Sequence, residues 1–444
     1  MVERGAQRSP LATPRVVDRS GNRPSGRHGK TRPIPRQPVN VLGAIDGAAR
    51  TASWYLANFS STAGQQASRE RRSARWSLRA LGRQSGVSAL PRPAKCGMPI
   101  GASAVAVKRG PDGTSHLAGV ETCGSIWACP VCAAKIRNVR ADEVAQGLGE
   151  HIDRGGGALL VTLTLPHEVA DELRKTITLV SEGFAAVNAG RGYGEDRSAF
   201  GILGHIRAFE VTHGQNGWHP HLHVIVCLAR PASRDLADAL QARWQARWDR
   251  FLRRRGWRPS VDKIGVRVDR VRRDGAAVGA YVAKLQEGEK LDRSVGNEVA
   301  RADLKGGRRG SRVPFEILAD FGSDGAESDR VLWQEFQLAT KGRSAIRWSK
   351  GLRALLLPDV DELTDEEIAA AEVGGVQIAL IEPQLYRKIA GRPYGEAFLH
   401  VAAEQGGIKG IRRYVRALGL NVAGVLQPDT STDVNYISDG EAGQ

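Results

Sequence analysis

Gly217-Trp218-His219-Pro220-His221-Leu222-His223-Val224-Ile225-Val226 sets three histidines on alternate residues of a run that otherwise reads as a buried strand. Successive side chains of a strand point to opposite faces, so His219, His221 and His223 share one face and Leu222, Val224 and Val226 the other. The apolar face calls for a cover of helices, and the imidazole face can hold a divalent metal ion. Five of the ten histidines in the chain (His205, His213, His219, His221, His223) fall in this short window. Such concentration favours a ligand set over a strand that is merely His-rich and half solvated.

Working outward, residues 202–212 and 218–228 form a hairpin around Gly214-Gln215-Asn216-Gly217. Gly157–Pro166 reads as a strand, with Leu159, Val161 and Leu163 on one face and Thr162 and Thr164 on the other. Helices are expected over 133–152, 171–187 and 233–256, the last with Trp244, Trp248, Phe251 and Leu252 inward. A Gly- and charge-rich loop is expected around 189–197, a strand over 264–271 and a helix over 276–285. Residues 290–312 read as a charged loop, and 314–357 and 364–420 mainly as helices. Alternating strands, helices and a hairpin predict an α+β fold, an antiparallel sheet with helices on one face.

The chain has 444 residues, long enough for two or three units, and a net charge of +16 that calls for an acidic partner, most simply nucleic acid. Residues 1–95 hold 18 Lys and Arg against 4 Asp and Glu, so most of the excess sits there. Residues 1–90 are accordingly expected to be a basic, largely disordered arm, although 54–81 take on a more helical pattern. The expected divisions are that arm, a cysteine-bearing unit over 91–140, a histidine-bearing unit over 141–290, a charged loop and helical extension over 291–360, and a helical region over 361–444. No apolar run approaches membrane length and the Arg- and Pro-rich start is no secretory signal, which predicts a cytoplasmic protein without a membrane partner.

Two imidazoles on a metal usually need a further protein ligand. Registry about the 214–217 turn puts Glu210 opposite His221, with Phe209 and Val211 on the apolar face. Glu210 is therefore the expected third ligand beside His221 and His223, with His219 its competitor; a one-residue slip would exchange them. A second site is expected at Cys96, Cys123, Cys129 and Cys132, a single upstream ligand followed by C-x5-C-x2-C, which would hold structural Zn2+. His116 is an alternative to Cys96. Cys227, on the parity of His223, reads as a core or rim thiol. No G-x4-GK[ST] loop occurs, so ATP hydrolysis is not expected.

Tyr281 and Lys284, in Gly279-Ala280-Tyr281-Val282-Ala283-Lys284-Leu285, stand at i, i+3 and would lie one above the other on a helix, by itself an ordinary pairing. Taken together, the strand Val161–His167, the run Trp218–Val224 and the segment Tyr281–Lys284 resemble the three motifs of the HUH endonucleases, named for two histidines flanking a bulky apolar residue, here His221-Leu222-His223. More narrowly, the chain is similar to the replication initiators of rolling-circle plasmids from high-GC Gram-positive bacteria. Cys123–Arg137 (CGSIWACPVCAAKIR) and Ile346–Arg353 (IRWSKGLR) share in that resemblance, which spans roughly residues 94–355.

The resemblance implies an HUH/RRM-like palm, preceded by the zinc unit and followed by a mainly helical region. It implies site-specific nicking of single-stranded or hairpin origin DNA, with Tyr281 attacking a phosphodiester to leave a 5′-phosphotyrosyl link. Lys284 would supply positive charge, and Mg2+ or Mn2+ would be held by the histidines. A host helicase and polymerase would complete replication. Ala277 stands where some related initiators carry a glutamate four residues before the tyrosine, which leaves the terminating step without its usual base. The absence of a second nearby tyrosine argues against two-tyrosine transposases. The competing readings are a conjugative relaxase or transposase on the same scaffold, and a non-catalytic, zinc-containing DNA-binding regulator.

Overall fold

The computed structural model describes residues 62–84, 91–258, 265–271 and 311–428. The chain there enters through helix α1 (Ala63–Gln84), the short α2 (Arg92–Lys95) and strands β1 (Val105–Arg109) and β2 (Ser115–Ala118). Residues 62–84 were expected within the basic arm, yet α1 buries Arg69, Arg72, Arg75 and Arg79 at helical spacing. Counting arginines as solvent-facing hides this stripe, because the carboxylates that receive it, Glu396 and Glu404, lie far along the chain.

Helix α3 (Pro130–Asp153) starts with proline in its first turn, where the missing N–H is no loss, and leads into β3 (Gly157–Leu163) and α4 (Leu173–Val187). The expected loop near 189–197 is instead helix α5 (Gly190–Phe200). Its glycines conceal it, but buried Asp196 accepts from Trp244 Nε1 and Arg243 Nη1 at 3.1 Å each, and Gly201, at φ 69°, ends the helix. Strands β4 (Ile202–Gly214) and β5 (Gly217–Leu228) form the expected hairpin, Gly217 taking the left-handed φ of 80° that the turn requires. Helix α6 (Arg234–Arg254) is capped by the Ser233 hydroxyl, which accepts from Leu236 N at 3.1 Å, and buries Trp244, Trp248, Phe251 and Leu252 as its periodicity predicts.

Beyond β6 (Val266–Arg270) come α7 (Pro314–Asp324), α8 (Glu327–Thr340), β7 (Ile346–Trp348), α9 (Leu352–Leu356), α10 (Asp365–Ala370), β8 (Val376–Ile381), α11 (Pro383–Ala390), α12 (Gly395–Ala417) and β9 (Val425–Leu426). Strands β7 and β8 lie in stretches expected to be mainly helical. Each is recruited by a distant edge: Ile346–Trp348 pairs with Ile206–Ala208, and Val376–Ile381 pairs with β1. The helical character of the remainder of that C-terminal region stands.

Two antiparallel sheets result, with strand orders β6-β3-β5-β4-β7 and β2-β1-β8-β9. Leu159, Val161, Leu222, Val224 and Val226 of the larger sheet pack beneath α4 and α6, with Phe184, Trp244 and Trp248 filling the layer. Each such side chain contributes about 1.5–3 kcal/mol on full burial. The expectation of helices on one face alone needs correction. On the opposite face, Val144 and Leu148 of α3 and Leu352 and Leu356 of α9 cover Leu160, Ile206, Ile225 and Cys227. The face that carries histidines at one end is thus apolar at the other, and that end must be covered. Among the described residues no helix is long and apolar enough to cross a membrane.

Candidate functional site

The other end of that second face brings the histidines together. The turn sets the hairpin register, so Glu210 pairs with His221, Ala208 with His223 and Thr212 with His219. One row across the sheet reads Ile346, Ala208, His223, Thr162, Arg267. His223 Nε2 lies 2.8 Å from Glu210 Oε2, and its Nδ1 lies 3.3 Å from Thr162 Oγ1, so both ring nitrogens are held. The two side chains of the Glu210–His223 contact are 16 % and 11 % exposed, shielded from bulk water yet reachable. The His221 and His223 rings are parallel with centroids 6.0 Å apart, and His219 sits 3.8 Å from His221.

His219 is itself tied by Nε2 to Thr164 Oγ1 at 3.0 Å and stacks on His167 at 4.4 Å. His167 is the member of the group that alternation misses: it follows the end of β3, where the two-residue period no longer governs direction. Its only signal in the sequence was the segment Val161–His167 within the family resemblance. The Cys227 thiol is buried in the apolar half of the face, and desolvation pushes it up to about 12. Tyr281 and Lys284, together with Ala277, lie outside the described residues.

Cys96, Cys123, Cys129 and Cys132 are all buried, and their sulfurs lie within 4.8 Å of one another. The Sγ–Sγ separations of Cys96–Cys132, Cys123–Cys132 and Cys96–Cys129 are 3.5, 3.7 and 3.6 Å. Four sulfurs at about 2.3 Å from a tetrahedral zinc would be about 3.8 Å apart, so the donor set fits such an ion. Cys96 completes the set, while His116, the alternative, stands on β2 near Asp112 and is lowered mainly by burial. Hydrogen bonds from Cys123 first, then Cys129 and Cys132, hold the Cys96 thiol well below the ordinary range, with a smaller push from Arg75.

The remaining motifs support these two places. Trp127 Nε1 donates to Arg343 O at 2.7 Å and receives the Arg137 guanidinium over its ring at 5.2 Å. Ser349 accepts from His205 N at 2.9 Å, anchoring β7 to β4, and buried Arg353 donates to Glu143 Oε1 at 3.0 Å. Ile346–Trp348 thereby forms an edge of the histidine sheet, and Arg353 ties α9 to α3.

Comparison with known proteins agrees with this organisation. A curated protein named "Protein rep" from Streptomyces lividans is 36 % identical over 314 residues, covering 57 % of this chain and 68 % of that relative. A "Neomycin resistance protein" from Streptomyces cyanogenus is 30 % identical over 139 residues, 26 % of this chain and 32 % of that protein. No solved structure matches. The sequence profile described as "Replication protein" matches residues 114–368, which include the hairpin, its flanking helices and the edge strand β7. With more than half of the chain matched and the histidine face inside the matched part, the protein belongs to the Rep family of plasmid replication initiators.

Proposed function

We propose that the protein initiates rolling-circle replication of a plasmid by metal-dependent nicking of single-stranded or hairpin origin DNA, followed by strand transfer. The observation that carries this reading is the hairpin register, which joins Glu210, His221 and His223 on one sheet face. An imidazole and carboxylate donor set suits Mn2+ or Mg2+, with His221, His223 and Glu210 as the ligands and His219 as the alternative to Glu210. Such an ion polarises a non-bridging phosphate oxygen.

Tyr281 attacks phosphorus through its phenolic oxygen as the bond to the 3′ oxygen breaks. The phenolic proton is lost, the 3′ oxygen gains one, and a 5′-phosphotyrosyl link remains. Phenol ionises about three units above neutrality, a cost of roughly 4 kcal/mol at pH 7. Lys284, three residues on in the sequence, lowers that cost by its charge. The covalent link conserves the phosphodiester for later rejoining. In this reading residues 141–290 are the nicking unit, 91–140 hold a structural Zn2+ at the four cysteines, and the basic N-terminal region adds affinity for DNA. A host helicase and polymerase act on the nicked origin, in the cytoplasm.

The test is covalent capture of a labelled single-stranded origin oligonucleotide with Mn2+, resolved on denaturing gels and mapped by mass spectrometry. Adduct at Tyr281, abolished by EDTA and by Tyr281→Phe, is the expected result. His221→Ala and His223→Ala are expected to lower nicking at least about 100-fold. Loss in Glu210→Gln but not in His219→Gln assigns the third ligand. Nicking retained by Tyr281→Phe would overturn the mechanism, and metal-independent binding without cleavage would favour a regulator.

A further inference from the structure

Helix α1 presents an unusual stripe: four arginines, 69, 72, 75 and 79, buried to 8 % exposure or less. Among the described residues their acidic partners are two. Glu404 Oε2 lies 2.8 Å from Arg69, and Glu396 receives Arg75 and, at 3.1 Å, Arg79, with Arg72 Nε 3.6 Å away. Arg75 Nη1 also points at Cys96 Sγ from 3.6 Å, and Arg79 Nη2 donates to Cys96 O at 2.7 Å. Buried guanidinium nitrogens nevertheless find no hydrogen-bond partner among the described residues, including Arg75 Nε and Arg79 Nε and Nη1. Gly97 is shaped around this contact: at φ 78°, a Cβ there would stand 2.5 Å from Arg75 Cζ.

Charge decides what the cluster needs. Four guanidinium groups face two carboxylates, leaving two positive charges uncompensated in a buried place, which is strongly unfavourable. A divalent ion held by four thiolates carries a net charge of −2, and its sulfurs accept hydrogen bonds from outer cations.

We propose that Arg75 and Arg79 are the outer-sphere partners of a metal tetrathiolate at Cys96, Cys123, Cys129 and Cys132, so that a thiophilic divalent ion docks α1 and the head of α12 onto the sheet core. This rests on the structural-zinc reading above. Arg75, Arg79, Cys96 and Glu396 all lie outside residues 114–368, so the metal joins segments that flank the family's common core. The ion thereby acts as a structural clasp between the two ends of the described chain.

The experiment uses the full chain loaded with Zn2+. Metal content is measured by elemental mass spectrometry, release by transfer to a chromophoric chelator, and docking by hydrogen–deuterium exchange of residues 63–84. Arg75→Met is expected to release zinc at least about 10-fold faster than the natural chain, with Arg75→Lys between them. Gly97→Ala leaves every charge in place while crowding the guanidinium and straining the backbone at φ 78°; it is expected to speed release similarly. Stripping the metal is expected to expose 63–84 to exchange while residues 159–163 and 222–228 stay protected. Unchanged release in both variants, or unchanged protection of 63–84 after stripping, would overturn the clasp while leaving the zinc site standing. A chain that takes up no zinc would remove the tetrathiolate reading itself and the clasp with it.

Discussion

His205 stands on the helix-covered face of β4, with the Phe184 ring edge-on at 5.0 Å. Burial, with Arg207 adding a smaller repulsion, lowers it from 6.5 to about 4. The folded state therefore holds it neutral, while the unfolded chain takes up a proton below pH 6.5. Its contribution is complete above pH 6.5 and is lost as pH falls toward 4, on the order of 2 kcal/mol by pH 5. His205→Gln is thus expected to lose less stability than the natural chain between pH 7 and pH 5 in urea unfolding; equal losses would assign the acid sensitivity to other histidines. Single residues of the site were legible in the sequence to the extent that local geometry governs them. Glu210 faces His221 because a turn closed at Gly214 and Gly217 fixes which residues oppose each other. Thr162 is found by the same parity, but its approach to His223 depends on β3 choosing β5 as neighbour, which no local rule states.

At the scale of elements, close packing turns on glycines that periodicity treats as blemishes. Gly183 lies in α4 where a Cβ would stand 2.5 Å from the Trp248 ring, whereas Gly149 in α3 has open space. Alanine gains about 0.5–1 kcal/mol over glycine within a helix, but overpacking a core costs typically 1–3. Gly183→Ala is accordingly expected to destabilise and Gly149→Ala to stabilise by up to about 1 kcal/mol, read as opposite shifts of the denaturation midpoint. Shifts of the same sign would show that α4 and α6 move apart at little cost. The hairpin and α6 are legible because each has a long run of one period. Helix α5 and strands β7 and β8 are not: α5 is held by Asp196 beneath two arginines and a tryptophan, and the strands by edges that precede them by many residues.

For the whole molecule, the distribution of charge sets how DNA is approached. Residues 1–61 hold 10 Lys and Arg against 3 Asp and Glu, whereas four of the six arginines of α1 turn inward. Deleting residues 1–61 is expected to flatten the salt dependence of duplex binding by about two units of log–log slope or more, since each phosphate neutralised contributes about 0.9. An unchanged slope would move the contact to the folded part. Deletion through residue 90 would also remove α1 and its ion pairs, and would report on folding as well as on charge. By itself the sequence determined the histidine face, its register with Glu210, the cysteine set and the inward side of α6, because each follows from spacing within a few turns or strands. Only the tertiary structure decided that helices cover part of the second face, that β1 and β8 share a sheet, and that four arginines of α1 are buried, two of them against Cys96. Those outcomes depend on partners distant in sequence, and a residue's polarity does not reveal whether a distant partner will take it out of water.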